Sequence, residues 1–346
     1  MLTNDPEEKP VEVLAIVPAR SGSKSVVDKN IRPINGKPML AYSIEHAKAS
    51  KYINRVILST DSEKYADIGR SYGAEIPFIR PAEYATDTAL DIDVFRHALN
   101  FLREKEGYVP DIVVQLRPTY PIRRPDDIDK MVEMLIGSPE ADSVRCIAPA
   151  KEIAYKMWRK SDNGRIVPLL DDISEAYNMP RQALPKIYYQ NACIDVVRAS
   201  VITEKNSMSG DVILGYEMDH NFDIDTEKDF ADAALYLKLN QAHDSKFVFD
   251  IDGVIAQYRE NLDYASAGPN ERMIRVINKL YDMGNHIVLF TARGFVTGID
   301  WREVTEKQMK DWGVKYHELR FGKPDATFYI DDKMLDMNTL MDAFGK

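Results

Sequence analysis

The sequence predicts an α/β protein of two domains: a larger one with a mostly parallel sheet and a smaller one of the same class. Short apolar runs alternate with amphipathic stretches, the pattern of strands covered by helices on both faces. That alternation restarts after a polar segment at 241–245. The chain has 346 residues, more than a single core usually serves when a domain takes roughly 100–200 residues.

In order, the apolar run Val13 to Val17 is the first strand, stopped by Pro18 and a turn of small and basic residues. Further runs predict strands at Arg55 to Ser59, Ile112 to Leu116, Ser143 to Ile147 and Ile194 to Val197, with helices at Leu40 to Ala49, Asp91 to Glu104 and Asp126 to Ile136 between them. A helical stretch from Glu227 to Asn240 closes the first domain, placed at 1–240. The second, at 246–346, reads as strand Lys246 to Phe249, helix Pro269 to Tyr281, strand His286 to Phe290, helix Trp301 to Trp312 and strand Thr327 to Ile330. Trp301 and Trp312 stand at near-helical spacing and are expected in the core.

Hydrophobic residues make up 45% and charged residues 29%, so the composition is that of a folded chain rather than a disordered one. The formal charge of −10 disfavours nucleic acid as a partner and requires any phosphate ligand to be held by local cations or metal. Cys146 and Cys193 lie in apolar strand-like runs and read as buried structural thiols. The polar lead-in before Val11 does not have the form of an export signal, and no apolar run approaches the ~20 residues of a membrane helix, so a cytoplasmic enzyme is expected.

The turn after the first strand, Ala19-Arg20-Ser21-Gly22-Ser23-Lys24, suits a triphosphate: small residues let backbone N–H groups approach it and two cations oppose its charge. Downstream come Asp28-Lys29-Asn30-Ile31-Arg32-Pro33, Asn35-Gly36-Lys37-Pro38-Met39-Leu40, Ser59-Thr60-Asp61, Arg80-Pro81-Ala82-Glu83 and Asp223-Ile224-Asp225-Thr226. Together, over about residues 11–240, they resemble the cytidylyltransferases that make CMP-sialic acid and related CMP-activated acidic sugars.

That resemblance implies a nucleotide-diphospho-sugar-transferase-like sheet, CTP as donor, and Arg20, Lys24, Lys29 and Asn30 on triphosphate and cytosine with Arg80 nearby. It implies Mg²⁺ at Asp223 and Asp225, for which alternate strand residues present carboxylates to one side. An acceptor oxygen would attack the α-phosphorus while pyrophosphate leaves in line. It also implies a homodimer in which residues near 151–189 reach across.

The acceptor half departs from the sialic acid pattern. Gln-Pro-Thr-Ser-Pro is replaced by Arg117-Pro118-Thr119-Tyr120-Pro121, and Arg-Pro-Asn-Gly-Ala-Ile-Tyr by Tyr189-Gln190-Asn191-Ala192-Cys193-Ile194-Asp195. The serine-rich stretch becomes Leu90-Asp91-Ile92-Asp93, and the glycine after the loop lysine becomes Ser25. Lys156 and Arg181 match positions that face the acidic sugar, and with Arg117 and Gln190 they form the expected acceptor site. An anionic acceptor follows, with a 2-keto acid sugar and a small phosphate or phosphonate both open. Arg117 can instead be taken up by a neighbouring carboxylate.

In the second domain, Phe249-Asp250-Ile251-Asp252-Gly253-Val254, Phe290-Thr291-Ala292-Arg293-Gly294, Lys323-Pro324 and Tyr329-Ile330-Asp331-Asp332-Lys333 occur in order. They resemble the four motifs of haloacid-dehalogenase-like phosphatases. The resemblance implies Asp250 as nucleophile, Asp252 as general acid and base, Thr291 and Lys323 on the phosphoryl oxygens, and Mg²⁺ held by Asp250, Asp252, Asp331 and Asp332. Too little chain separates Gly253 from Thr291 for a cap domain, so the site is expected to be open to a phosphate ester.

The expected whole is a bifunctional cytidylyltransferase and phosphatase serving surface polysaccharide or glycoconjugate synthesis. Two other readings stand beside it: a nucleotide-sugar glycosyltransferase with a regulatory phosphatase-like domain, and a scaffold that senses phosphate.

Overall fold

The computed structural model describes residues 10–23, 26–150, 152–218, 222–257, 263–326 and 333–344. Lys24, Ser25, Asp331, Asp332 and the expected strand at 327–330 lie outside the described residues.

The chain divides into two compact units, Met1–Ala233 and Ala234–Lys346. In the first, β1 (Val13–Pro18), β2 (Pro33–Ile34), β3 (Lys37–Pro38), α1 (Met39–Ala49), β4 (Arg55–Ser59), α2 (Glu63–Ser71), α3 (Asp91–Glu106) and β5 (Ile112–Leu116) follow one another. Then come α4 (Asp127–Ile136), β6 (Ser143–Pro149), β7 (Trp158–Lys160), β8 (Ile166–Pro168), β9 (Tyr188–Arg198), α5 (Ala199–Thr203) and β10 (Ile213–Glu217).

The main sheet runs β10-β6-β9-β5-β1-β4. Successive residues of β1 feed different cores: Val13, Ala15 and Val17 join the cluster with Leu40, Ile44 and Met131, whereas Leu14 and Ile16 pack with Phe95, Leu99 and Leu102. A strand buried on both faces reads as a continuous apolar run, which is why Val13 to Val17 is legible in the sequence. The ends of the helices are chemically marked. Ser62 Oγ accepts from Tyr65 N at 3.5 Å to open α2, and Gly107 closes α3 at φ 65° in the left-handed region that favours glycine.

One strand departs from the expected parallel pattern. β9 runs antiparallel to both β5 and β6, and it is longer than expected, starting at Tyr188. Its register against β6 shifts between Arg145 and Ile147, and Ala192 within the irregular stretch takes φ 58°. The bulge interrupts the apolar alternation that reveals a strand, so only the segment after it was readable. The sequence pattern does not mark α2, β7, β8 or β10 either. β10 carries an exposed alternation rather than an apolar run.

The two units part within α6 (Glu227–Asn240), several residues before the expected boundary at 240. Leu239 is a member of the second unit's core, with Leu235 and Tyr236 packed on it, so the later turns of the helix belong there. That unit continues with β11 (Lys246–Phe249), α7 (Glu271–Asp282), β12 (His286–Thr291), α8 (Arg302–Asp311), β13 (Glu318–Phe321) and α9 (Met337–Phe344), its described sheet being parallel in order β11-β12-β13. Trp312 packs on this core, whereas Trp301 sits edge-on to Tyr264 at 5.1 Å, outside the cluster. Both tryptophans flank α8 rather than lying in it. Cys146 and Cys193 are buried free thiols on β6 and β9.

Candidate functional site

The first unit holds a cavity of about 510 Å³ beyond the carboxyl ends of β1 and β5. Ligands in open α/β sheets bind at this position, because loops there are anchored by strands yet free to vary. Arg20, Ser23, Lys29, Asn30, Arg80 and Asp225 all line it, so the structure gathers most of the expected nucleotide residues in one place.

Hydrogen bonds and ion pairs fix most of them. Ala19 N donates to Ser59 O at 2.9 Å, which ties the turn to the end of β4. Ser21 is tied twice to Asp61, from N to Oδ1 and from Oγ to Oδ2, both at 2.7 Å. Gly22 follows at φ 73°, a left-handed backbone that costs glycine little. Arg20 pairs with Asp87 at 2.8 Å, and its backbone carbonyl accepts from Asn30 Nδ2 at 3.0 Å. Asn30 Oδ1 is buried and takes no hydrogen bond among the described residues.

Lys29 is buried, donating to Ile224 O at 2.6 Å and lying 3.4 Å from Asp225 Oδ1. This lysine pins the Asp223–Asp225 segment, nearly two hundred residues downstream, against the loop after β1. Arg80 is also buried, its guanidinium bonded to the Ser59 hydroxyl at 3.0 Å and to the Ser59 carbonyl; burial lowers its pKa to about 10. It stays charged at neutral pH.

Asp223 and Asp225 do not lie on a strand, as expected, but in the extended segment before α6. Ile224, buried between them, donates its N–H to Thr119 O at 2.9 Å and holds the pair against the loop after β5. Asp225 lines the cavity; Asp223 is half-buried, its carboxyl pushed up by burial and then by the Asp225 charge, although a Thr119 bond draws it down. Two neighbouring carboxylates, the Asp225 charge helping to raise the Asp223 carboxyl, form beside a cavity a donor set suited to a hard divalent cation. The described residues contain no larger His, Cys, Asp or Glu group of metal-binding form.

The expected acceptor residues do not gather as a set. Arg117 lines the cavity, but its guanidinium is taken up by two carboxylates, Asp195 at 2.8 Å and Asp91 at 3.0 Å. It is therefore not the added free cation that its place in the motif suggested. Burial works against its charge, yet Asp195 and then Asp91 outweigh that and raise its pKa above the ordinary guanidinium value. Lys156 donates to Tyr177 O at 3.2 Å, exposed Arg181 lies 3.9 Å from Glu152, and Gln190 accepts from Arg145 at 2.8 Å. None of these three lines the cavity. Lys156 and Arg181 belong instead to a segment with its own small cluster of Tyr155, Ala176 and Leu184.

Several residues here were not singled out. Gln115 and Asp91 complete the polar end of the cavity, Asp195 lies buried behind Arg117, and buried Arg123 donates to Ser43 Oγ, Arg117 O and Cys193 O at 3.1, 2.8 and 3.0 Å, bracing the loop after β5. Gln115 within an otherwise apolar strand was the available signal.

The second unit places four of its expected residues together. Asp250 accepts from Lys323 Nζ and from Ile251 N, the latter at 2.8 Å. Lys323 is held there because its own N–H bonds Thr291 O at 3.1 Å, and the buried Thr291 hydroxyl accepts from Arg293 N at 3.1 Å. Asp252 is gripped through both oxygens by Arg293, whose buried guanidinium also reaches Thr305 at 3.1 Å and Gln308 at 2.7 Å. Asp331 and Asp332 lie outside the described residues.

The fold and cavity of the first unit thus define an α/β domain with a cavity carrying several cationic side chains at the carboxyl edge of its sheet. A family model described as cytidylyltransferase matches residues 14–258. Post-translational flagellin modification protein B of Campylobacter coli is 37% identical over 224 residues, 63% of this chain and 92% of that protein. CMP-N,N'-diacetyllegionaminic acid synthase of Legionella pneumophila is 33% identical, covering 67% of this chain and 98% of its own length. N-acylneuraminate cytidylyltransferase of Escherichia coli is 32% identical, covering 63% of this chain and 50% of that one. A solved CMP:2-keto-3-deoxy-manno-octonic acid synthetase complexed with CTP shares the fold, with TM-score 0.50 at 15% identity over 66% of this chain and 99% of that one. The chain belongs to the cytidylyltransferase family.

Among the described residues no helix is long and apolar enough to cross a membrane.

Proposed function

We propose that the first unit transfers CMP from CTP to a 2-keto acid sugar of the sialic acid type with release of pyrophosphate, and that the second hydrolyses a phosphomonoester. The observation that carries the first part is the convergence of Arg20, Lys29, Asn30, Arg80 and Asp225 on one cavity. Three cations there oppose a triphosphate, and preorganised charge is what an in-line displacement at phosphorus requires. Mg²⁺ suits Asp223 and Asp225; when bound, it offsets charge on the phosphoryl oxygens. The acceptor class is drawn from relatives that make activated N-acylneuraminic and legionaminic acids. A small phosphonate acceptor is less well supported, because the Arg117 charge that favoured it is already matched by Asp195 and Asp91.

The phosphatase part rests on Asp250 paired with Lys323, a candidate nucleophile beside a phosphate-binding cation, with the Lys323 N–H bonded to Thr291 O and Asp252, nearby in sequence, held by Arg293. A dimer accords with the separate cluster around Tyr155 and with exposed Trp158, Ile166 and Val167 nearby; Lys156 and Arg181 would then serve the partner's cavity.

The test is incubation with CTP, Mg²⁺ and a panel of acidic sugars and small phosphonates, following pyrophosphate, with a phosphate ester assayed in parallel. Pyrophosphate released with sugar acids alone is the expected result. Its absence with every sugar acid overturns the first part, and inertness toward all phosphate esters overturns the second.

A further inference from the structure

The polar end of the cavity is built to accept hydrogen bonds rather than to neutralise an anion. Gln115 is 1% exposed on β5, directly opposite Asp195 of β9, and it lines the cavity. Its Nε2 donates to Asp91 Oδ2 at 2.8 Å, but its buried Oε1 takes no hydrogen bond among the described residues. A buried acceptor left unmatched is destabilising, so such a group in a binding cavity calls for a donor from the ligand.

Asp91, at the first turn of α3, stands beside it and accepts from Gln115 and from Arg117 on the same oxygen, Oδ2. Arg117 divides its donors between Asp91 and the buried Asp195, and so offers no uncompensated charge. One unmatched acceptor oxygen, Gln115 Oε1, and the Asp91 carboxylate thus stand at one place beside a guanidinium already paired.

We propose that Gln115 and Asp91 form a specificity subsite that receives hydroxyl or acylamido N–H donors of the acceptor, and that the acceptor's carboxylate binds elsewhere. The inference rests on the transfer reading above and adds which chemical groups meet this wall. A carboxylate placed here would face Asp91 and the lone pairs of Gln115. A sugar hydroxyl or amide N–H would match the Gln115 oxygen and be compatible with the Asp91 carboxylate. A site built to bond a substrate donor rejects the analogue that lacks it far more strongly than an apolar pocket rejects a missing methylene.

The experiment uses the full chain with CTP, Mg²⁺, N-acetylneuraminic acid and single-deoxy analogues of that sugar, measuring kcat/KM from pyrophosphate release. The wild type is expected to prefer the parent over at least one deoxy analogue by about tenfold or more. Gln115→Leu, which keeps the bulk and removes both polar atoms, is expected to erase that preference while the KM for CTP stays within about twofold, a coupling read as in a double-mutant cycle. Asp91→Ala, at a half-exposed position on α3, is expected to weaken the same preference and serves if Gln115→Leu does not fold.

Retention of the full preference by the folded variants overturns the inference alone, as does a rise in the CTP KM equal to the fall in acceptor kcat/KM. A wild type that releases no pyrophosphate with any of these acceptors overturns the transfer reading, and this inference with it.

Discussion

Arg117 donates to Asp195 at 2.8 Å, and Asp195 is 1% exposed, so a carboxylate in the middle of the main sheet is held by a cavity residue. Asp195 lies in register with Gln115 of β5 on one side and Arg145 of β6 on the other, with Arg145 Nε 3.6 Å away.

Arg117→Met should therefore act on stability before it acts on substrate. Removing Arg117 leaves buried Asp195 with Arg145 at 3.6 Å as its remaining cation, so the loss should approach but not exceed the about 3–5 kcal/mol of a fully uncompensated buried charge. Denaturant unfolding should show that loss for Arg117→Met and a smaller one for the double variant with Asp195→Asn. Equal losses would mean that the pair is not coupled.

The nucleotide contacts should separate from the acceptor contacts. Lys29→Met removes a buried cation that braces the Asp225 segment and faces the cavity, so the KM for CTP should rise by about tenfold or more. Asp225→Asn should raise the Mg²⁺ concentration needed for half-maximal pyrophosphate release. Unchanged Mg²⁺ dependence would exclude Asp225 as a ligand.

Acid should destabilise the first unit through His46. Burial, followed by Arg123 and Lys37, lowers its pKa from 6.5 to about 3, and Arg123 Nη1 stands 3.5 Å from the ring. Between those values the unfolded chain takes up a proton that the folded one refuses. Stability from this group is thus full above pH 6.5 and is lost as pH falls from 6.5 toward 3. The drop in Tm from pH 7 to pH 5 should be smaller in His46→Gln than in the wild type.

Asp250→Asn should abolish phosphate ester hydrolysis and leave pyrophosphate release intact. Lys323→Met should strongly depress the same hydrolysis, since the lysine contacts Asp250 directly. Parallel loss of both activities in Asp250→Asn would refute independent sites.

Much of the first unit was legible because its parallel strands are buried on both faces. Burial of that kind selects unbroken apolar runs, and Arg55–Ser59 and Ile112–Leu116 fall where the sequence placed them. The residues of the nucleotide loop were legible too, since a turn of small and basic residues after a strand has a chemical purpose that can be read locally.

Strand pairing, rather than local sequence, settles how distant charges are shared. The sequence determined that Arg117 stands in the acceptor motif, but its pairing with Asp91 and Asp195 depends on β9 running antiparallel between β5 and β6. In the same way Lys29 meets Asp225, and Arg293 takes both oxygens of Asp252, across long stretches of chain. A side chain's type is written locally, whereas its electrostatic partner is set by which strands pair and in what register. For that reason the sequence could nominate candidate groups, while the division between free and compensated charge in the cavity could not be read from it.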